Sequence, residues 1–179
     1  MNRQASAERI SFRFLKKLLN KEPDAGFPGE LKVGPKDREW SHPVFGELKW
    51  EKRFNWWAGK VRMGPNLVDF YLIPGREIPL GAPFNTTLAE KSFQKTLQKE
   101  KGLKLKGAQD ALDLYNSEWK EESDPELAPQ ELAARWTPKS FSITRKGDGE
   151  IFYDGDWTFT EHEIGIKFRP GGRYVEWSI

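Results

Sequence analysis

The chain contains no cysteine. Disulfides, thiolate zinc sites and thiol nucleophiles are therefore excluded together, and the composition suits a reducing compartment, so a cytoplasmic location is expected. Neither sign of charge prevails, since 29 Lys and Arg face 27 Asp and Glu for a formal net charge of +2. No global field draws the protein to nucleic acid or to a membrane surface, and any electrostatic partner must be met by a local patch. No apolar run approaches the ~20 residues that span a bilayer, and the N-terminus lacks the uninterrupted apolar core of a signal peptide. Histidine is nearly absent as well, with only His42 and His162. A glycine-rich phosphate loop, a Gly-x-Ser-x-Gly elbow and a His-Glu-x-x-His pair are all missing, so no common catalytic signature and no cofactor are indicated.

What is present is a chain of 179 residues rich in tryptophan, with eight of them. That length suits one domain with a proper core. Residues 1–21 read as an amphipathic helical appendage, because Ile10, Phe14, Leu15, Leu18 and Leu19 recur at helical spacing. Arg9, Arg13, Lys16 and Lys17 flank that stripe and are candidates for contact with an acidic partner or an anionic membrane surface. Residues 22–42, broken by prolines and glycines, read as a linker. Residues 43–179 read as a single α+β domain.

Within that domain, period-two alternation predicts strands at Val44–Trp50, Trp56–Met63 and Leu67–Ile73, an antiparallel meander. Val44, Leu48 and Trp50 share one face, as do Trp57, Val61 and Met63. Apolar residues at helical spacing follow, predicting one helix from Asn85 or Thr86 to Glu100, ended by Gly102, and a second from Gly107 to Glu121. A short third helix opens at Pro129 and closes before Pro138. The second block of strands runs through Ser140–Thr144, Glu150–Tyr153, His162–Phe168 and Tyr174–Ile179, with His162 in line with Ile164, Ile166 and Phe168, and Val175 in line with Trp177 and Ile179. The fold expected is α+β: an antiparallel sheet of two strand blocks with two to three helices inserted between them. The clustered tryptophans suit a core better than a base-stacking platform, given the balanced charge.

The closing stretch Phe152-Tyr153-Asp154-Gly155-Asp156 and Glu161-His162-Glu163 gathers acids beside a histidine. Asp154, Asp156 and His162 would suit a hard or borderline divalent ion, carboxylates supplying charge and imidazole a directional donor. Against this, Asp-Gly-Asp is also the composition of a turn, and Glu161 and Glu163 point away from His162 in an extended strand. If an ion binds, Asp154 or Asp156 must fold back toward His162.

The combination Pro43-Val44-Phe45-Gly46-Glu47-Leu48, the pair Trp56-Trp57, and Trp136-Thr137-Pro138 through Phe152-Tyr153-Asp154-Gly155-Asp156 to His162-Glu163-Ile164 resembles an uncharacterised bacterial domain family. The resemblance covers about Pro43 to Phe168. It implies a compact α+β cytoplasmic domain and transfers no catalytic residue. Bacterial families of this size include immunity proteins against toxins, an analogy of class alone. Three functions stand open on the sequence. The first is a non-enzymatic protein-binding domain of immunity-like kind; the second a metal-dependent enzyme at Asp154, Asp156 and His162; the third an assembly component docking through the N-terminal helix.

Overall fold

Alternation of apolar and polar residues gives each strand segment one face to bury. The computed structural model describes residues 38–82, 84–156 and 158–179. The eight strands lie side by side in chain order: β1 (Glu39–His42), β2 (Gly46–Glu51), β3 (Trp56–Met63), β4 (Asn66–Ile73), β5 (Thr137–Thr144), β6 (Gly149–Asp154), β7 (Glu163–Arg169) and β8 (Arg173–Ser178). They belong to a unit spanning Gly34–Ile179. The first strand occupies the last residues of the stretch read as linker, and Val44 sits in the turn after it instead of in a strand. The predicted N-terminal helix lies outside the described residues.

The sheet is not wholly antiparallel as expected. Its central pair, β4 and β5, is parallel, with Phe70 opposite Phe141 and Leu72 opposite Ile143. The helices inserted between the two blocks form a crossover that returns the chain to the end where β4 began, and only a parallel partner can follow such a return.

That crossover contains one long helix where the sequence predicted two. Helix α1 (Thr87–Leu114) passes through Gly102 and runs on into a π turn at Tyr115–Trp119; α2 (Pro129–Ala134) is the short helix opened by its proline. A glycine inside a helix costs ~1 kcal/mol relative to alanine. Beyond Gly102 the helix buries Leu103, Ala108, Ala111 and Tyr115, and full burial of one large apolar side chain contributes ~1.5–3 kcal/mol, so packing overrides the local signal. Gly107 is needed for a different reason. A Cβ there would run into the Ile166 side chain and stand 3.5 Å from Trp136, so this glycine sets how closely α1 approaches β7.

One face of the sheet, the first, carries the core. Leu48, Trp57, Val61, Phe70, Leu72, Phe141, Ile143, Ile151, Tyr153, Ile164 and Ile166 point into it and are buried. Phe45, Phe70, Phe93 and Phe141 form an aromatic cluster, with Phe45 stacked on Phe70 at 4.7 Å and Phe93 edge-on to Phe141 at 5.1 Å. Two face assignments differ from expectation. Strand β7 begins at Glu163, and His162 lies in the preceding turn, exposed, with its N–H on the Phe159 carbonyl at 3.1 Å. In β8 a bulge pairs Lys167 with Glu176 but Phe168 with Tyr174, so Val175 is the extra residue and turns outward at 43% exposure. Among the described residues no helix is long and apolar enough to cross a membrane.

Candidate functional site

The sequence pointed first to the β6–β7 connection. Asp154 Oδ1 accepts the backbone N–H of Asp156 at 3.0 Å, and Asp156 takes a φ of 47°, so the two acids are joined as a turn. In the sheet Asp154 pairs with Glu163, whose carboxylate holds Lys139 Nζ at 2.6 Å. His162 sits at the other end of the connecting loop, its ring edge-on to Trp119 at 5.8 Å. Among the described residues no group of three or more His, Cys, Asp or Glu side chains stands close enough to share a metal ion. Arg9, Arg13, Lys16 and Lys17 lie outside the described residues.

The other histidine is buried in a relay. His42 ends β1, stacked on Phe45 at 4.6 Å, and its Nδ1 accepts the backbone N–H groups of Val44 and Phe45 at 3.1 and 3.2 Å. Two donors on Nδ1 place the proton of the neutral ring on Nε2, which donates to Thr86 Oγ1 at 2.9 Å. The Thr86 hydroxyl donates onward to Glu90 Oε1 at 2.5 Å, at the start of α1. Burial lowers the His42 pKa, and the Glu90 charge opposes that shift without reversing it. The arrangement looks like a nucleophile–base–acid triad and cannot work as one. A general base must present a lone pair to the hydroxyl, and here the nitrogen facing Thr86 carries the proton. The relay fastens the β1–β2 corner to the helix.

The second face of the sheet departs furthest from an ordinary solvated surface. No described helix packs on it, and the 52–55 hairpin lays Phe54 on Trp56 at 4.6 Å. Trp56 also packs against Tyr71 at 4.6 Å and is only 5% exposed, with its Nε1 unpaired among the described residues. Register pairing then carries a row across the strands, from Ala58 through Tyr71, Ser142, Glu150 and Lys167 to Glu176. The adjacent row runs from Asp69 through Ser140, Phe152 and Gly165 to Ser178.

Glu150 is the anomaly of these rows. It is 2% exposed, its Oε2 has no hydrogen-bond partner among the described residues, and its Oε1 receives only the Ser178 hydroxyl at 3.5 Å. Burial pushes its pKa up to about 8, against the opposing influence of Lys167 and Ser178. Tyr71 is pushed up to about 12 by burial and by the charges of Asp69, Glu163 and Glu51. A buried carboxyl held protonated near neutral pH, beside aromatic rings and small hydroxyls, is the pattern of a functional site more than of a solvated surface.

A family model described as "Uncharacterized protein conserved in bacteria (DUF2262)" matches residues 42–178. The chain belongs to this family. An uncharacterised bacterial family was expected and one is found, and its matched span starts at His42 and takes in the whole of β2 to β8, including every residue of the Glu150 row. Neither a curated protein nor a solved structure matches the chain at a significant level.

Sequence reasoning did not single out Glu150. In Gly149-Glu150-Ile151-Phe152-Tyr153, alternation places Glu150 and Phe152 opposite the core residues Ile151 and Tyr153, the position of ordinary surface side chains. One signal was available. Gly165 interrupts Ile164-Gly165-Ile166 on the polar side, and a glycine inside a strand marks a place where another group approaches the backbone.

Proposed function

We propose that the domain is a non-enzymatic protein-binding module that holds its partner on the second face of the sheet, masking it by surface complementarity as immunity proteins do. The carrying observation is the state of that face, where Trp56 and Glu150 are buried, each with a polar atom unpaired among the described residues, and no described helix lies across. Unpaired indole N–H groups also occur in the core, at Trp57 and Trp136, so the weight falls on the Glu150 carboxyl oxygen: buried polar groups in folded proteins are nearly always paired, and this one calls for a partner. The size is adequate. Strand spacing of ~4.8 Å and a rise of ~3.3 Å per residue give eight strands a face of roughly 700 Å², close to the ~800 Å² per partner of a standard interface.

The fixed tautomer of His42 supports the non-enzymatic reading, since the ring nitrogen facing Thr86 is a donor and cannot serve that hydroxyl as a base. A cytoplasmic location accompanies this reading on the lack of cysteine.

The test is recovery of the tagged full chain from its native host, with the co-purifying protein identified by mass spectrometry. Leu67 on the second face and Leu88 on α1 are 59% and 61% exposed. A stoichiometric partner retained by Leu88→Glu and lost by Leu67→Glu supports the reading. No stoichiometric partner, or equal retention by both variants, overturns it.

A further inference from the structure

Charged residues that stand opposite each other in this sheet are, with two exceptions, matched by sign. Glu39 faces and pairs with Lys49 at 3.3 Å, Lys60 with Asp69 at 2.6 Å, and Lys167 with Glu176. In the first exception Asp154 faces Glu163, and there Lys139 supplies the missing cation at 2.6 Å. The second has no such relief. Arg169 of β7 stands opposite Arg173 of β8, both exposed, and neither guanidinium makes an ion pair among the described residues. Like charges directly opposite each other on adjacent strands are destabilising.

The turn between the two arginines is clamped to α1. Gly171 donates its N–H to Ser92 Oγ at 3.0 Å, its carbonyl accepts Lys99 Nζ at 2.9 Å, and the Ser92 hydroxyl donates to the Gly147 carbonyl at 2.6 Å. No acid from the surrounding elements comes to the pair. Glu100 on α1 accepts the Tyr153 hydroxyl, Asp110 accepts Tyr174 and Lys106, and Glu176 holds Lys167. Asp148, the acid of the turn before β6, makes no ion pair with either arginine. The helix adds positive charge instead, with Lys99 on the Gly171 carbonyl and the stem of Lys95 3.8 Å from where a Gly171 Cβ would stand.

Alternation from Lys167, a member of the Glu150 row, puts Arg169 on the second face, and its register partner Arg173 shares that side. The pair therefore closes one end of that face. Directly opposite residues have Cβ atoms ~5 Å apart. A carboxylate, with lone pairs on both oxygens, can accept from two guanidiniums held at that spacing.

We infer that Arg169 and Arg173 clamp an Asp or Glu carboxylate from an acidic segment of the protein partner; this rests on the protein-binding reading. The partner's carboxylate relieves the arginines as Lys139 relieves Asp154 and Glu163. A phosphate would satisfy the same two groups. A nucleic acid, however, needs a run of cations along its backbone, and the strands that carry the pair present Glu163 and Glu176 on the same face.

The free full chain gives the first test. Urea midpoints of wild type, Arg169→Gln and Arg173→Gln are compared at low and at high salt. Each variant is expected to have the higher midpoint at low salt and the wild-type midpoint at high salt, where repulsion between exposed charges is screened. No gain at low salt means that the pair is already neutralised within the chain, and overturns the inference. The side-chain Nε–H signals of both arginines are then followed by NMR as a hexaglutamate peptide is added at low salt, with hexaglutamine as control. Both signals are expected to shift together with hexaglutamate and to stay in place with hexaglutamine. Binding to the doubly substituted protein, followed on the Gly171 amide, is expected to be at least tenfold weaker. Unmoved arginine signals, or tighter binding by a single-stranded oligonucleotide of the same charge, overturn the inference. In the native host, Arg169→Glu combined with Arg173→Glu should lose the partner that Leu67→Glu loses. A Leu67-dependent partner retained by the charge-reversed protein removes the clamp and leaves the binding face, whereas loss of that dependence removes the face whatever hexaglutamate does.

Discussion

Replacing Glu150 by glutamine should stabilise the protein, and by an amount that grows with pH. The group has an ordinary value of 4.5 and is pushed to about 8 in the fold. Between those values the folded state holds a proton that the unfolded chain has released, so stability is greatest below 4.5 and falls as pH rises toward 8. Each unit of that interval is worth ~1.4 kcal/mol. At pH 7 the native acid therefore costs ~3 kcal/mol relative to its contribution at pH 4.5, and near pH 8 the loss reaches ~4–5 kcal/mol and levels off. Glutamine keeps the shape of the protonated acid and never ionises. The difference between variant and wild type is expected to be near zero at pH 4.5 and ~3 kcal/mol at pH 7, or roughly 6–12 °C in Tm for a domain of this size. Urea denaturation of both proteins at a series of pH values and fixed salt measures it, and taking the difference cancels the other titrating groups. A difference that does not change between pH 4.5 and 8, or a variant less stable than wild type at pH 8, refutes the reasoning.

Other consequences follow from the packing. Gly107→Ala drives a methyl into Ile166 beneath α1 and is expected to destabilise by ~1–3 kcal/mol, read as a lower urea midpoint. Gly102→Ala meets nothing within 4 Å and should stabilise by ~0.5–1 kcal/mol in the same assay. His42→Ala removes the acceptor for two backbone N–H groups and should cost ~1–3 kcal/mol. Because burial lowers the pKa of His42 below 6.5, its contribution is present above 6.5 and lost as pH falls through the folded value, so the measured cost should be smaller at pH 5 than at pH 8.

Much of the fold was legible because alternation depends only on which residues are apolar. Trp57, Val61 and Met63, and likewise Ile164, Ile166 and Phe168, are buried as their spacing requires. Where the reading failed, a tertiary contact overrode a local rule. Gly102 reads as a helix end, yet the apolar residues beyond it belong against the sheet and carry the helix through. The bulge that turns Val175 outward depends on a register between β7 and β8 that no single strand encodes. The parallel junction at β4 and β5 depends on where a crossover of more than sixty residues comes back. Of the candidate site, the Asp154–Asp156 turn was anticipated as one of two readings. Glu150 was not, because alternation assigns a face and says nothing about whether a carboxyl on it is buried without a hydrogen-bond partner.

The central claim is that the second face of the sheet is where a partner binds, and site-specific photo-crosslinking tests it most directly. With the crosslinking residue at Leu67 on that face, irradiation in the native host should yield one adduct of defined mass. At Leu88 on α1, equally exposed, it should yield none. The same adduct from Leu88, or none from either position, contradicts the account.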